Sequence, residues 1–293
     1  MKLVTYNIQY SKGRDGRFDL ARVVGAVAGA DVIALQEVER FWPRTGMTDQ
    51  PAEIATMLPG YYWVYRAAFD MDASVSGGDG AITNRRRQFG NMLLATTPII
   101  TSRLHLLPRI GSASQFNMTC GALEGVMMTG AGPVRVYSMH LAHLSSLERL
   151  EQVEALLAIH RRVAVEGGTW SGDPALRGDD WTLGEDPPPA PAEAILLGDF
   201  NFEPSGPEYP ALVGPKDPMY GRTNYCDRFV DAWVAAGNGD RSCVTYPRNE
   251  KIAAVRLDYC FLTPGLARRV RGAWVDAEAE GSDHQPVWVE LDA

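Results

Sequence analysis

The 293-residue chain has no apolar run of roughly 18 residues, the length a helix needs to cross a bilayer. Clustered cysteines are missing as well. Cys120, Cys226, Cys243 and Cys260 are scattered and form no C-x-x-C pair, which argues against a zinc site and against a disulfide framework. Cys120 and Cys260 lie in apolar runs and are expected to be buried thiols. The excess positive charge of a protein that grips a nucleic-acid backbone is also lacking, since the formal net charge is −8. A local basic patch is compatible with that total, but the balance favours a small or lipid-like substrate over nucleic acid. The start, MKLVTYNIQY, enters a strand-like pattern with no apolar leader and cleavage site, so the expected location is the cytoplasm. There is no H-E-x-x-H pair, no repeat of fixed period and no evident domain boundary.

What is present is a core. Hydrophobic residues make up 45% of the chain, enough for one large domain over residues 1–293. Strand-like runs cover Leu3–Ile8, Val32–Leu35, Tyr61–Ala67, Asn91–Ala95, Met118–Met128, Val134–His140, Ala194–Leu197, Val255–Leu262 and Pro286–Leu291. One helix is marked by Leu20, Val23, Val24 and Val27, with Asp19 as N-cap, a staple between Phe18 and Val23, and Gly29 at its end. A second runs from about Ser146 to Val165, with Ser145 and Glu148 at capping-box spacing and Leu147, Leu150, Val153 and Leu157 on one face. A short helix is expected near Phe229–Ala236. Many strands with interspersed helices give an α/β or α+β fold of layered sheets with helices outside. The stretch from about 166 to 193 is rich in Gly, Pro and acidic residues and is expected to be a solvated loop insertion.

The polar residues fall at strand ends. LVTYN ends at Asn7, VIALQE at Glu37, VRVYSMH at His140, and ILLGDFN at Asp199 and Asn201. In α/β sheets ligands gather outside the carboxyl ends of strands, so these residues are expected at one edge. Asp283 and His284 precede the last strand, in a turn that an antiparallel neighbour would bring to the same edge. Asp258 sits inside the apolar run VRLDYCFL, where a lone carboxylate needs a partner, and His284 could be that partner. Asn7, Glu37 and Asp283 offer hard oxygens of the kind Mg²⁺ or Mn²⁺ accepts. Asp199 and Asn201 could hold and deprotonate a water, a histidine paired with Asp258 is kept oriented and basic or cationic, and His140 could protonate a leaving oxygen. Together they suit metal-assisted attack of water on a phosphate ester.

The pieces TYNI, LQEV, SMHL, GDFN, RLDYCFL and SDHQPV run in order from residue 5 to residue 287. In that order the chain resembles the endonuclease/exonuclease/phosphatase superfamily of DNase I-like, metal-dependent phosphohydrolases. The resemblance implies a four-layer sandwich, two packed mixed β-sheets flanked by helices, with the site at one edge. It implies that Asn7 and Glu37 belong to the metal site and that Asp283 is a ligand or sits beside one. Asp199, supported by Asn201, becomes a general base or water-positioning residue, and His284 contacts the scissile phosphate and pairs with Asp258. It leaves open whether Asp199 or His284 takes the water proton.

Each residue has a plainer reading in isolation. Asn7 and Asp199 suit turns, Glu37 a solvated charge, and Asp283 with His284 a strand-entry turn. Their joint occurrence in order favours the site. His143 is expected in a loop, His105 and His160 in structural or exposed positions, and Arg85-Arg86-Arg87 in a solvated loop. The loops Gln9–Arg17, Val38–Gln50, Ala142–Ser145 and Phe202–Asp227 would shape the pocket. In the second of these, Arg40, Trp42 and Arg44 could hold an apolar or ring-bearing group beside a phosphate. The expected activity is a phosphodiesterase acting on a small-molecule or lipid-type ester. A nuclease and an inactive binding module are the alternatives.

Overall fold

The computed structural model describes residues 1–130, 132–173, 182, 184–239, 243–247 and 253–292. Its strands are β1 (Lys2–Asn7), β2 (Val32–Arg40), β3 (Tyr62–Asp72), β4 (Val75–Ser76), β5 (Ile82–Thr83), β6 (Arg86–Ala95), β7 (Ile99–Leu106), β8 (Gly121–Thr129), β9 (Gly132–His140), β10 (Ala194–Asp199), β11 (Lys216–Asp217), β12 (Gly221–Arg222), β13 (Val230–Asp231), β14 (Asp258–Leu262), β15 (Val270–Val275) and β16 (Val287–Leu291). Its helices are α1 (Leu20–Val27), α2 (Gln50–Met57), α3 (Ser146–Glu166), α4 (Glu208–Val213), α5 (Ala232–Ala235) and α6 (Pro264–Ala267).

The strands form two six-stranded mixed sheets, in the orders β15-β16-β1-β2-β6-β3 and β13-β14-β10-β9-β8-β7. The parallel pairs β1/β2 and β9/β10 sit at the middle of their sheets. Alternation along each strand sends successive side chains to opposite faces. Leu3, Ala34, Leu93 and Val289 of the first sheet meet Leu123, Val136, Ile195 and Cys260 of the second in the inner core. Val4, Tyr6, Ile33 and Leu35 turn outward onto Val23 and Val27 of α1 and Ile54 of α2. Tyr137, Leu196 and Phe261 turn outward onto Val153 and Leu157 of α3 and Leu212 of α4. The layers are therefore helix, sheet, sheet, helix. Because both faces of each central strand are covered, those strands read as unbroken apolar runs.

Helix caps follow the sequence closely. Asp19 accepts from the amides of Ala21 and Arg22, and Ser145 accepts from the amide of Glu148. Two local expectations are corrected. Phe18 is exposed and tilts against the Tyr10 ring. Leu147 is 63% exposed, and the buried face of α3 is carried by Gln152, Val153, Leu156, Leu157 and Val163. Strand β7 and helices α2 and α4 were not read from the sequence. Strand β7 is an edge strand of mixed polarity, and α2 and α4 are short. Of the predicted insertion, residues 174–181 and 183 lie outside the described residues.

A buried polar network ties the second sheet to α3. Arg135 on β9, 1% exposed, donates to the Tyr137 hydroxyl (2.8 Å) and to the Pro191 carbonyl (2.7 Å), and lies 2.9 Å from His160 Nδ1. Tyr137 donates to Glu124, which also meets His105 Nε2 at 2.9 Å. Both histidines are thus structural. Burial, with Arg135 adding to it, pushes the His160 imidazole down to about 4. The unfolded chain then takes up this proton before the native one does, so native stability falls as pH drops from about 6.5 towards about 4. We expect His160→Asn to flatten that segment of the stability–pH curve, measured by urea unfolding at pH 7 and pH 4.5. An unchanged slope would contradict the assignment.

Candidate active site

The site is built where the central strands of the two sheets end together. Asn7 closes β1, His140 closes β9, Asp199 closes β10 and Asp258 opens β14. Register fixes three of them: Asp199 pairs with His140 on one side and with Asp258 on the other. Between the strands of this last sheet the backbones come very close. A Cβ built on Gly198 would lie 2.1 Å from the Met139 carbonyl oxygen, so the glycine of LLGDFN is required by strand packing. Gly198→Ala is expected to cost about 1–3 kcal/mol in chemical denaturation. A variant as stable as the parent would contradict this reading.

Glu37 reaches the rim through a bulge. The β2/β6 register shifts between Leu35 and Val38, and Glu37 has φ +58°. Such a bulge re-aims a side chain. Gln36 points the other way, between the sheets, where it donates to Ser138 Oγ at 3.0 Å and accepts from Thr5 at 3.2 Å. Positive φ at non-glycine positions recurs around the site, at Gln9, Tyr10, Ser11 and Asn201. Left-handed backbone of this kind persists only where surrounding contacts over-determine it.

Asp199 is the hub. It is 2% exposed. Its Oδ2 accepts from Asn7 Nδ2 at 3.0 Å and Asn201 Nδ2 at 3.3 Å, and its Oδ1 accepts from the Asn201 amide at 2.9 Å. The Nε2 atoms of His140 and His284 each lie 3.7 Å from Oδ2. Asn7 also donates to Glu37 Oε1 at 3.0 Å, and His140 Nε2 lies 3.9 Å from the same oxygen. Asn201 donates to the Leu141 carbonyl at 3.0 Å as well, which fixes its amide.

His284 Nδ1 meets Asp258 Oδ2 at 2.8 Å, with Asp258 fully buried. The Tyr246 ring packs edge-on against the imidazole at 4.9 Å, and the Asp258 amide donates to Thr245 Oγ1. Burial alone would discharge His284, but Asp258 and then Asp199 outweigh it and hold the imidazole well above its ordinary range. Asp199, Asp258 and His284 offer ligand-type atoms within 4.8 Å of one another. Within this trio His284 Nδ1 is already engaged by Asp258, which leaves its Nε2 facing Asp199. Further hard oxygens lie at Glu37, which accepts from Asn7, and at Asp283. Burial pushes the Asp283 carboxyl up to about 6; nearby His284 opposes this and Glu37 adds to it. Gln9 Nε2 donates to Asp283 at 2.5 Å.

The cleft over these groups is lined by Glu37, His140, Asp199, Asn201 and His284, with Tyr10, Arg44, Phe89, Phe116, Met118, Cys120, Leu141 and His143 around them. Asn7 and Asp258 lie beneath, and Asp283 is joined to the Tyr10 turn through Gln9. Of the three expected substrate contacts only Arg44 lines the cleft. It donates to Glu39 at 2.7 Å and stacks over Tyr10 and Trp42. Trp42 donates to the Gln88 carbonyl at 2.8 Å and packs on Phe69, and Arg40 pairs with Asp49. Thr245 and Tyr246, and the wall of Phe89, Phe116 and Met118, were missed by sequence reasoning. Gln9, two residues after Asn7, was read only as the start of a pocket-shaping loop.

The model of the Endonuclease/Exonuclease/phosphatase family matches residues 4–284. No curated protein matches the chain. Similar solved structures include an endonuclease/exonuclease/phosphatase from Beutenbergia cavernae, with 20% identity over 100% of this chain and 72% of that one and a TM-score of 0.64. Truncated TDP2 from Caenorhabditis elegans has 18% identity over 100% and 97% of the two chains, with a TM-score of 0.57. The mannosyl-6-phosphatase Bt3783 of Bacteroides thetaiotaomicron has 17% identity over 100% of both, with a TM-score of 0.58. Those likenesses share the DNase I-like fold, and the match over residues 4–284 assigns the chain to the endonuclease/exonuclease/phosphatase family of phosphate-ester hydrolases.

Proposed function

We propose that the chain is a divalent-metal-dependent phosphodiesterase acting on a small-molecule or lipid-type ester. The single observation that carries this reading is Asp199, a buried carboxylate held by two asparagines and faced at 3.7 Å by two imidazoles. Asp199 holds the attacking water and takes its proton. His284, kept cationic by Asp258, donates from Nε2 to a non-bridging phosphoryl oxygen and offsets the charge that grows there. His140 donates to the other oxygens of the ester and, when protonated, delivers a proton to the leaving group. With His284 already protonated, Asp199 is the better proton acceptor of the two.

Glu37 and Asp283 would hold the cation, with the Asn7 side chain beside them. The residues fit such a group: burial and Glu37 disfavour the charged carboxylate of Asp283, a penalty a bound cation would relieve. When bound, Mg²⁺ or Mn²⁺ supplies charge stabilisation at a phosphoryl oxygen.

Against a nucleic-acid substrate stand the net charge of −8 and the pairing of nearby arginines: Arg40 with Asp49, Arg44 with Glu39, Arg86 with Asp70. These pairs take up part of the cationic surface there that could track a phosphate backbone, and Arg85 and Arg87 lie over the Phe41 and Trp42 rings. The test compares bis(p-nitrophenyl) phosphate with p-nitrophenyl phosphate, each with Mg²⁺ or Mn²⁺. The diester should have the higher kcat/KM, by about tenfold or more, one tenfold step being ~1.4 kcal/mol of transition-state free energy. A preference for the monoester would make the chain a phosphatase, and turnover of neither would favour a binding module.

A further inference from the structure

The lining of the cleft combines two chemistries. Tyr10 and Arg44 stack at 3.9 Å. Phe89, Phe116, Met118 and Leu141 supply an apolar wall. Phe116, on the loop between β7 and β8, is 67% exposed although it lines the cleft. Ile110 lies on the same loop, and Leu144 and Leu147 follow the cleft-lining His143 in the chain, all three exposed. Exposed apolar side chains forming a collar at the mouth of a catalytic cleft mark a binding surface.

The collar is held in place rather than swinging free. Asn117, next to Phe116, donates to Glu148 Oε2 at 2.8 Å and to the Ile110 carbonyl at 2.9 Å. Gln152 donates to the Pro108 carbonyl at 2.9 Å and accepts from the Ala142 amide at 2.9 Å. Glu148 and Gln152, both buried on α3, thus lock the Phe116 loop to the segment that follows His140. The apolar wall and the imidazole keep a fixed relation.

We propose that this wall, with Phe116 at its centre, is a specificity subsite for an apolar chain or ring on one ester oxygen of the substrate. The occupant follows from the shared lining: Phe116 and Met118 line the same cleft as Asp199 and His284, so a phosphorus held there has one of its ester substituents within that lining. This deepens the phosphodiesterase reading and rests on it. Phe116 is a specificity residue, and Glu148 and Gln152 are positioning residues acting through the loop.

The experiment uses alkyl p-nitrophenyl phosphates from methyl to octyl, each kept below its aggregation threshold. The expected result is a rise in kcat/KM of up to about fourfold per methylene, the limit set by full burial of each group. In Phe116→Ser the octyl-to-methyl ratio should fall at least about tenfold, as expected when several methylenes lose their cover. Circular dichroism checks that this exposed position leaves the fold intact. Glu148→Gln should lower the same ratio with a smaller effect. A flat chain-length series in the parent enzyme would overturn the subsite while leaving the hydrolase reading in place. A rise that appears only when the series is repeated above the aggregation threshold would overturn it in favour of a surface-binding patch. Turnover of no member, methyl included, would overturn both.

Discussion

Asp199→Ala is expected to lower kcat on a phosphodiester by about 10³–10⁴-fold, at the upper end of what loss of a positioned proton acceptor costs. The carboxylate is buried and is oriented by Asn7, Asn201 and the Asn201 amide. Both imidazoles face its Oδ2 at 3.7 Å. Asp199→Asn keeps a carbonyl for the Asn201 amide but turns its NH2 towards the side-chain amides of Asn7 and Asn201, so some stability is lost along with the charge. An amide also takes no proton at neutral pH. Both variants should therefore fall together in kcat at temperatures where circular dichroism shows them folded. A loss of less than tenfold in Asp199→Asn would remove Asp199 from the chemistry.

His284→Ala is the second large effect, expected at about 10²–10⁴ in kcat for loss of a charged donor at the developing phosphoryl charge. This substitution strands Asp258, a fully buried carboxylate, and such an orphan costs about 3–5 kcal/mol. Activity and stability should therefore both fall, and a cleaner separation comes from the partner. In Asp258→Asn the imidazole loses the neighbour that does most to hold its charge. Its protonation range then moves down, so the cationic form that donates to phosphate is lost at lower pH. The alkaline limb of the kcat–pH profile should shift to lower pH by at least about one unit, each unit being ~1.4 kcal/mol of differential interaction. If the profile of Asp258→Asn overlays that of the parent, the pair does not set the charge of the donor.

Much of this site was legible because strands buried on both faces read as apolar runs, and polar residues at their ends stand out. Asn7, Glu37, His140 and Asp199 were found that way, and all lie at one rim. Asp258 was legible for the opposite reason, as a charge inside an apolar strand that needed a partner, and His284 meets it at 2.8 Å. The bulge that aims Glu37 was not legible, since a register shift leaves no mark on composition. Nor was the apolar wall. Phe116 sits in a polar loop, GSASQFNMT, and gains meaning only because Asn117 and Glu148 tie that loop to α3. Arg40 and Trp42 lie outside the cleft lining, where their partners are Gln88, Phe69 and Asp49.

The account stands on a cation held at Glu37 and Asp283 beside a water activated by Asp199. The most direct test titrates Mn²⁺ into the chelator-stripped protein and follows binding by calorimetry and diester turnover in the same samples. Turnover should be absent in the stripped protein and return in step with a bound equivalent, and Glu37→Gln should weaken both by about tenfold or more, as loss of a charged ligand demands. Full turnover in the stripped protein, or Mn²⁺ binding that Glu37→Gln leaves untouched, would contradict the account.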